Sequence, residues 1–294
     1  MKGALRTFLI TSVLGALAWT TAYARNKECD RVLKRVAQNK FIITRDLEDH
    51  FTTFGRDFVQ RLRSLGPQNR WGDMGSGFEA PQIEYKTALL PLDFRKLLHG
   101  IFDVEDFAEF RPASRAQLVS VSYARPEFNE FVLKSQLARM YRAQEMRIAI
   151  PDGHHRQLYG RLIEDIPVEE LGPFDILTDY YGPLSYSLRP DLVLKTYLDL
   201  LVEDAPVFFY LDQRRLRFQS SESAVEVGLV EWLKSIAGIR VHECESLFHP
   251  GRRTGAYFIT KVPGVEVEIP PLEIVNIEDD TPPHITFRLL DDTN

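Results

Sequence analysis

Asp73-Met74-Gly75-Ser76-Gly77 places one carboxylate just ahead of two glycines. Glycine has no Cβ, so Gly75 and Gly77 can take positive φ and let a ligand approach the backbone closely. Asn69 to Trp71 reads as the end of a short strand, and Phe78 to Ala80 as the start of a helix. Such a helix points unpaired N–H groups and its positive dipole end at the turn. Backbone donors beside one acid suit a ligand that carries both a carboxylate and an ammonium group. A second strand end, Asp179-Tyr180-Tyr181-Gly182, follows the apolar Ile176-Leu177, and open α/β sheets hold their ligands at the carboxyl ends of strands. Glu164-Asp165-Ile166-Pro167 is a third acidic turn. Gly-rich turns also serve as plain connectors, and acidic turns as plain solvated loops.

Those residues need a sheet to bring them together. β-branched alternation predicts a strand over 118–123, ending at Tyr123, with Glu127 a few residues later. Further strands are expected at 157–163, 174–180, 206–212, 239–245 and 255–261, and helices at 80–90, 127–141, 190–201 and 224–237. Residues 92–115, rich in Phe and acids, read as an insertion over the pocket. Residues 26–67 carry apolar side chains at spacings of three and four and end at Gly66-Pro67. This predicts an amphipathic helical segment that packs on the core or caps the cleft. His154-His155 follows the turn Pro151-Asp152-Gly153 and reads as a surface loop, since adjacent histidines point apart and no further metal ligand lies near.

With these elements in order, Asp73-Met74-Gly75-Ser76-Gly77 resembles the first motif of class I S-adenosylmethionine-dependent methyltransferases, acid-x-Gly-x-Gly. The family's third glycine falls on Glu79, where the sequence departs. Glu164-Asp165-x-Pro is similar to the family's acidic turn after the third strand. Asp179 to Gly182 resembles its fourth motif, though not in the Asn/Asp-Pro-Pro-Tyr form that marks amino-group methylation. The resemblance covers about residues 69–262.

It implies a three-layer Rossmann-like α/β fold, with helices on both faces of the sheet, an antiparallel last strand and an added N-terminal helical segment. It implies S-adenosyl-L-methionine as cofactor and methyl transfer to an unidentified acceptor. In that reading Asp73 and the turn Gly75, Ser76 and Gly77 hold the methionine portion. Tyr123, standing where the family has an acid, meets the ribose. Asp165, with Glu164 second, receives the adenine amino group, while Asp179, Tyr180 and Tyr181 line the transfer site. Two readings compete. One is a methyltransferase-like binding module without catalytic activity. The other is an NAD(P)-dependent oxidoreductase, because Gly75-Ser76-Gly77-Phe78-Glu79-Ala80 also fits G-x-G-x-x-G/A. The two successive strands at 239–261 separate these folds, since a dinucleotide fold alternates helices with parallel strands.

The chain has 294 residues, 44% hydrophobic and 27% charged, enough for one large core. A net charge of −6 without a long basic run disfavours extended nucleic-acid binding. Lys2 and Arg6, the apolar run from Phe8 to Trp19, and Ala22-Tyr23-Ala24 predict a signal peptide over 1–24 and an exported protein, the alternative being an uncleaved membrane anchor. Segments 25–67, 68–262 and 263–294 then read as helical cap, α/β domain and Pro-rich acidic tail. Cys29 and Cys244 lack metal-ligand spacing and read as independent thiols.

Overall fold

Helix α1, Leu47–Arg63, begins where Asp46 closes a reciprocal cap. The Asp46 carboxylate accepts from the Asp49 amide at 2.9 Å, and Asp49 accepts from the Asp46 amide at 3.1 Å, satisfying two donors that a helix start leaves open. Leu47, Phe51, Phe54, Phe58, Val59 and Leu62 recur at helical spacing and are all buried. Gly55 interrupts the helical dihedrals with φ +66°. A Cβ there would lie 1.8 Å from the Glu245 carbonyl oxygen, so only glycine lets that strand end close on the helix. This is a computed structural model, and it describes residues 45–77, 79–87, 115–122, 145–211, 215–220, 225–278 and 284–290. The expected signal segment, Cys29, Tyr123, the 92–114 part of the insertion and the helix over 127–141 lie outside the described residues.

The main sheet has seven strands: β1 (Arg70–Met74), β2 (Gln117–Ser122), β3 (His155–Tyr159), β4 (Ile176–Tyr180), β5 (Val207–Tyr210), β8 (Ile239–Glu245) and β9 (Arg253–Lys261). Their order is β3-β2-β1-β4-β5-β9-β8. Strands β1 to β5 pair in parallel, and β9 runs antiparallel to both β5 and β8. Helices α1, α2 (Ala80–Thr87), α5 (Pro190–Leu200) and α6 (Leu229–Ser235) accompany it, with short turns α3 (Val168–Leu171) and α4 (Pro183–Tyr186). Two apolar layers cover the two faces. Trp71, Ile176 and Phe208 meet α1 on one, while Met74, Leu177, Val207 and Phe209 meet α5 and α6 residues such as Leu194 and Leu233 on the other. The fold is therefore the α/β sandwich with an antiparallel last strand that the sequence predicts. No helix among the described residues is long and apolar enough to cross a membrane.

Three sequence expectations are corrected. Residues 226–228 form a strand, β7, so the helix expected from 224 begins only at Leu229. The chain beyond 262 is not a detached tail. Leu272–Glu278 (β10) and His284–Leu289 (β11) build a second sheet with β6 (Leu216–Gln219) and β7, in the order β10-β11-β6-β7. Leu272, Ile285 and Phe287 enter the main core, and Phe218 stacks on both Trp232, with ring centroids 4.5 Å apart, and Phe287. Alternating apolar residues in β11 outweigh the prolines that flank it. Finally, His155 is no surface loop: it lies on β3 with its side chain only 3% exposed.

Candidate functional site

The carboxyl ends of β1 and β4 sit side by side, with Met74 paired in register to Asp179. Side chains alternate across a strand, so Asp73 and Thr178 face α1, and Asp179 faces the opposite layer. Asp73 is buried and accepts from the Thr178 hydroxyl at 2.7 Å. Thr178 in turn accepts from the Trp71 indole N–H at 3.0 Å. His50 of α1 brings Nε2 to 3.9 Å from the Asp73 Oδ1, too far for a hydrogen bond, and that nitrogen has no hydrogen-bond partner among the described residues.

The turn after β1 takes the conformation its glycines allow, with φ +85° at Gly75 and +52° at Gly77. Part of the need for glycine is internal. A Cβ on Gly75 would lie 2.5 Å from the Gly182 Cα, and one on Gly182 would lie 2.1 Å from the Met74 carbonyl oxygen. The two loops touch through backbone. The amides of Gly75 and Ser76 both donate to the Val121 carbonyl, at 2.7 and 3.3 Å, which ties the turn to β2. The Ser76 hydroxyl is buried without a hydrogen-bond partner among the described residues, and so is the Ser185 hydroxyl in α4. Two such orphans, one on each loop, are places where a polar ligand would find a free donor and acceptor.

Glu79, in the third-glycine position, has φ +61° and no exposed surface. Its carboxylate accepts from the Gln157 amide and the Tyr159 hydroxyl of β3. Arg147 stands 3.6 Å and His155 3.9 Å away. Burial pushes the Glu79 pKa up, against the pull of these partners. His155 Nε2 lies 2.7 Å from the Ser120 hydroxyl, and burial, with Arg147 and Lys86 nearby, depresses its pKa to about 4, so the ring is neutral at pH 7. Lys86 donates to the carbonyls of Arg115 and Ala116, both at 2.7 Å, and burial lowers its pKa to about 8. The space beneath α2 is thus a connected polar network, invisible in the linear sequence because its members are scattered over 80 residues.

Asp179 is fully buried and meets three donors. It accepts from the amides of Gly182 (2.6 Å) and Leu184 (2.9 Å) and from the Tyr197 hydroxyl (2.7 Å). Burial still raises its pKa to about 6. Tyr180 faces α1, its hydroxyl 2.7 Å from the Thr53 Oγ1 and its ring against His50. Tyr181 is half-buried with φ +52°, and its amide donates to the Tyr210 carbonyl at 2.8 Å. Glu164 accepts from the Ser187 hydroxyl at 2.8 Å, and Asp165, in the 3-10 turn Ile163–Asp165, is exposed to solvent.

The fold therefore gathers Asp73, Gly75, Ser76 and Gly77 with Asp179, Tyr180 and Tyr181. The turn beyond β3 brings Glu164 to this end through Ser187, just after α4, while Asp165 on the same turn is exposed. His50 and Arg45 were missed in the sequence, although the cap Asp46-x-x-Asp49 beside them marks where α1 begins and so which residues its first turn carries.

No protein-family model and no curated protein matches the chain. Among solved structures it is similar to an rRNA methylase from Streptococcus thermophilus, at 9% identity and a TM-score of 0.38, covering 70% of this chain and 95% of that one. It is similar to precorrin 8W decarboxylase from Methanobacterium thermoautotrophicum at 12% identity and a TM-score of 0.34, covering 70% of this chain and 88% of that one. The cyclase SpnF aligns at 15% identity and a TM-score of 0.30, over 52% of this chain and 42% of its own length. Likeness at this level concerns architecture only.

Proposed function

We propose that the chain binds S-adenosyl-L-methionine at the carboxyl ends of β1 and β4 and transfers its methyl group to an acceptor. The observation that carries this reading is the conjunction at the end of β1: Asp73 near its carboxyl end, a positive-φ glycine turn next, and the orphaned Ser76 hydroxyl within that turn. The antiparallel β9 between β5 and β8 favours it over a nicotinamide-dependent oxidoreductase, whose sheet continues in parallel.

The residues fit the amino-acid end of such a cofactor. Asp73 would accept from its ammonium group, and Ser76, with Ser185 across the notch, would meet its carboxylate. Glu164 and Asp165 would serve the adenine end, and Tyr123 the ribose. The cofactor supplies a methyl group already activated by a sulfonium, so the protein's own task is alignment. His50 steadies the Asp73 side of the notch, and the Thr178 hydroxyl holds that carboxylate in one orientation. Asp179 acts as a loop clamp, because all its partners are structural.

Calorimetric titration with S-adenosylhomocysteine tests the reading, with micromolar binding expected and Asp73→Ala expected to weaken it at least tenfold. An unchanged affinity in that variant would move the ligand elsewhere. A second reading, a binding module that no longer transfers methyl groups, is favoured by one observation: the β1 and β4 loops meet backbone to backbone at Gly75 and Gly182. Absence of heat up to millimolar S-adenosylhomocysteine would select it. An exported location, as the N-terminal sequence predicts, would also favour that module, since the donor is made in the cytosol.

A further inference from the structure

Arg45 precedes the α1 cap by one residue, and its guanidinium sits among aromatic rings. It lies 4.0 Å from the centroid of Tyr180 and 4.6 Å from that of Tyr181, and donates to the Tyr180 carbonyl. Tyr210 turns its ring edge-on to both, at centroid distances of 5.4 and 5.1 Å. Tyr186 is close enough to act on the same charge. Burial lowers the Arg45 pKa and raises those of Tyr180, Tyr181 and Tyr186, so the walls are neutral phenols around a desolvated cation.

A buried arginine ordinarily meets a carboxylate in a forked pair. Among the described residues no ion pair includes Arg45; Asp49 acts on it only as the weakest of several influences. Ring quadrupoles and one carbonyl hold the charge instead. The walls have anchors besides it. Tyr180 is fixed through Thr53, and Tyr181 through the Tyr210 carbonyl. Tyr181 also keeps a left-handed φ, a backbone cost that persists where the surroundings impose it and that gathers at ligand clamps. The rings come from β4 and the residue after it, from β5 and from α4; the guanidinium comes from the residue ahead of the α1 cap.

We propose that this tyrosine cage is a binding site for a guanidinium-bearing ligand, and that Arg45 occupies it in cis as a resident competitor. Its place at the carboxyl ends of β4 and β5, beside the Asp73 notch, makes the guest the acceptor substrate or the part of it that is recognised. That last step rests on the function proposed above; the cage does not.

The test titrates N-acetyl-L-arginine amide into the full chain and into Arg45→Ala, followed by calorimetry. A competitor on a short tether acts at an effective concentration on the order of millimolar, so its removal is expected to tighten about tenfold the binding of a guest that takes the empty cage with a Kd of about 0.1 mM. Arg45→Gln, which keeps length and polarity, should unmask the site equally. Adding Tyr181→Leu to Arg45→Ala removes one ring face and should lose the gain, and N-acetyl-L-lysine amide should bind more weakly than the arginine probe. Equal affinity in the wild type and both Arg45 variants, or no binding in any of them, overturns the proposal. S-adenosylhomocysteine is titrated in parallel. Arginine-amide binding without it supports the cage and counts against methyl transfer alone, whereas S-adenosylhomocysteine binding without arginine-amide binding counts against the cage alone.

Discussion

Asp73 and Asp179 lie at the ends of neighbouring parallel strands, one step apart in register, yet their surroundings differ. Asp179, on the α5 side, meets three donors and is fully buried. Asp73, on the α1 side, takes one hydroxyl and faces a histidine that stops short of bonding it. The same alternation that sends successive side chains to opposite faces thus surrounds one acid with its own loop's donors and leaves the other with room for a further partner. A carboxylate at a strand's carboxyl end is therefore a functional candidate only if its own loop leaves it unsatisfied.

The comparison breaks most visibly at Asp179. Asp179→Ala would leave two buried amides and the Tyr197 hydroxyl without an acceptor, and urea unfolding should show a loss of about 3–5 kcal/mol. Its pH dependence sharpens the point. The folded pKa, about 6, stands above the ordinary 3.8, so the folded state holds its proton more tightly than the unfolded one. The resulting stability is complete below about pH 4 and is lost as pH rises through about 6. Wild type should therefore gain stability over Asp179→Asn as pH falls from about 7 to 4, by roughly 1–3 kcal/mol. A flat difference would mean that the three donors balance burial, and a loss of stability toward pH 4 that they outweigh it.

The loop contact gives the next effect. Gly182→Ala drives a methyl group against the Met74 carbonyl, and about 2–3 kcal/mol of stability should go with it. Because the same glycine joins the β4 loop to the Gly75 turn, S-adenosylhomocysteine affinity should fall as well if the proposed site is occupied there.

How far these assignments were legible in sequence depended on whether the signal was local. Strand and helix periodicity placed β1, β2, β4, β5, β8 and β9 within a few residues, and the successive strands Ile239–Glu245 and Arg253–Lys261 pointed to the antiparallel β9. Local pattern failed where partners are distant. β10 and β11 look like a Pro-rich acidic tail until β6 offers them a sheet. His155 looks like half of a loop dyad until β2 supplies Ser120. Glu79 looked like a defect in a glycine motif, and only the fold reveals the Gln157 and Tyr159 donors that bury it. The motif residues themselves were readable, but the division of labour between Asp73 and Asp179 was not, since it depends on strand facing and on what the following loop donates.

Asp73→Asn should separate binding from stability. It removes charge but keeps an acceptor for Thr178, so unfolding should cost about 1 kcal/mol, while S-adenosylhomocysteine binding weakens at least tenfold. A stability loss as large as that of Asp179→Ala would erase the distinction between the two acids.

The smallest expected change in stability tests the site most directly. The Ser76 hydroxyl is buried with no hydrogen-bond partner among the described residues, so it adds no bond to the free protein and carries part of a desolvation cost. Ser76→Ala should leave unfolding within about 0.5 kcal/mol of wild type, or raise it slightly, because an unsatisfied polar group is exchanged for a methyl. If the hydroxyl meets the carboxylate of the cofactor, the same change should weaken S-adenosylhomocysteine binding about tenfold, a loss of about 1.4 kcal/mol. Stability and affinity would then move in opposite directions at one atom, as expected of a group kept for a ligand. Should both stay level, the orphan is a packing accident, and the cofactor's amino-acid end must be sought at Ser185.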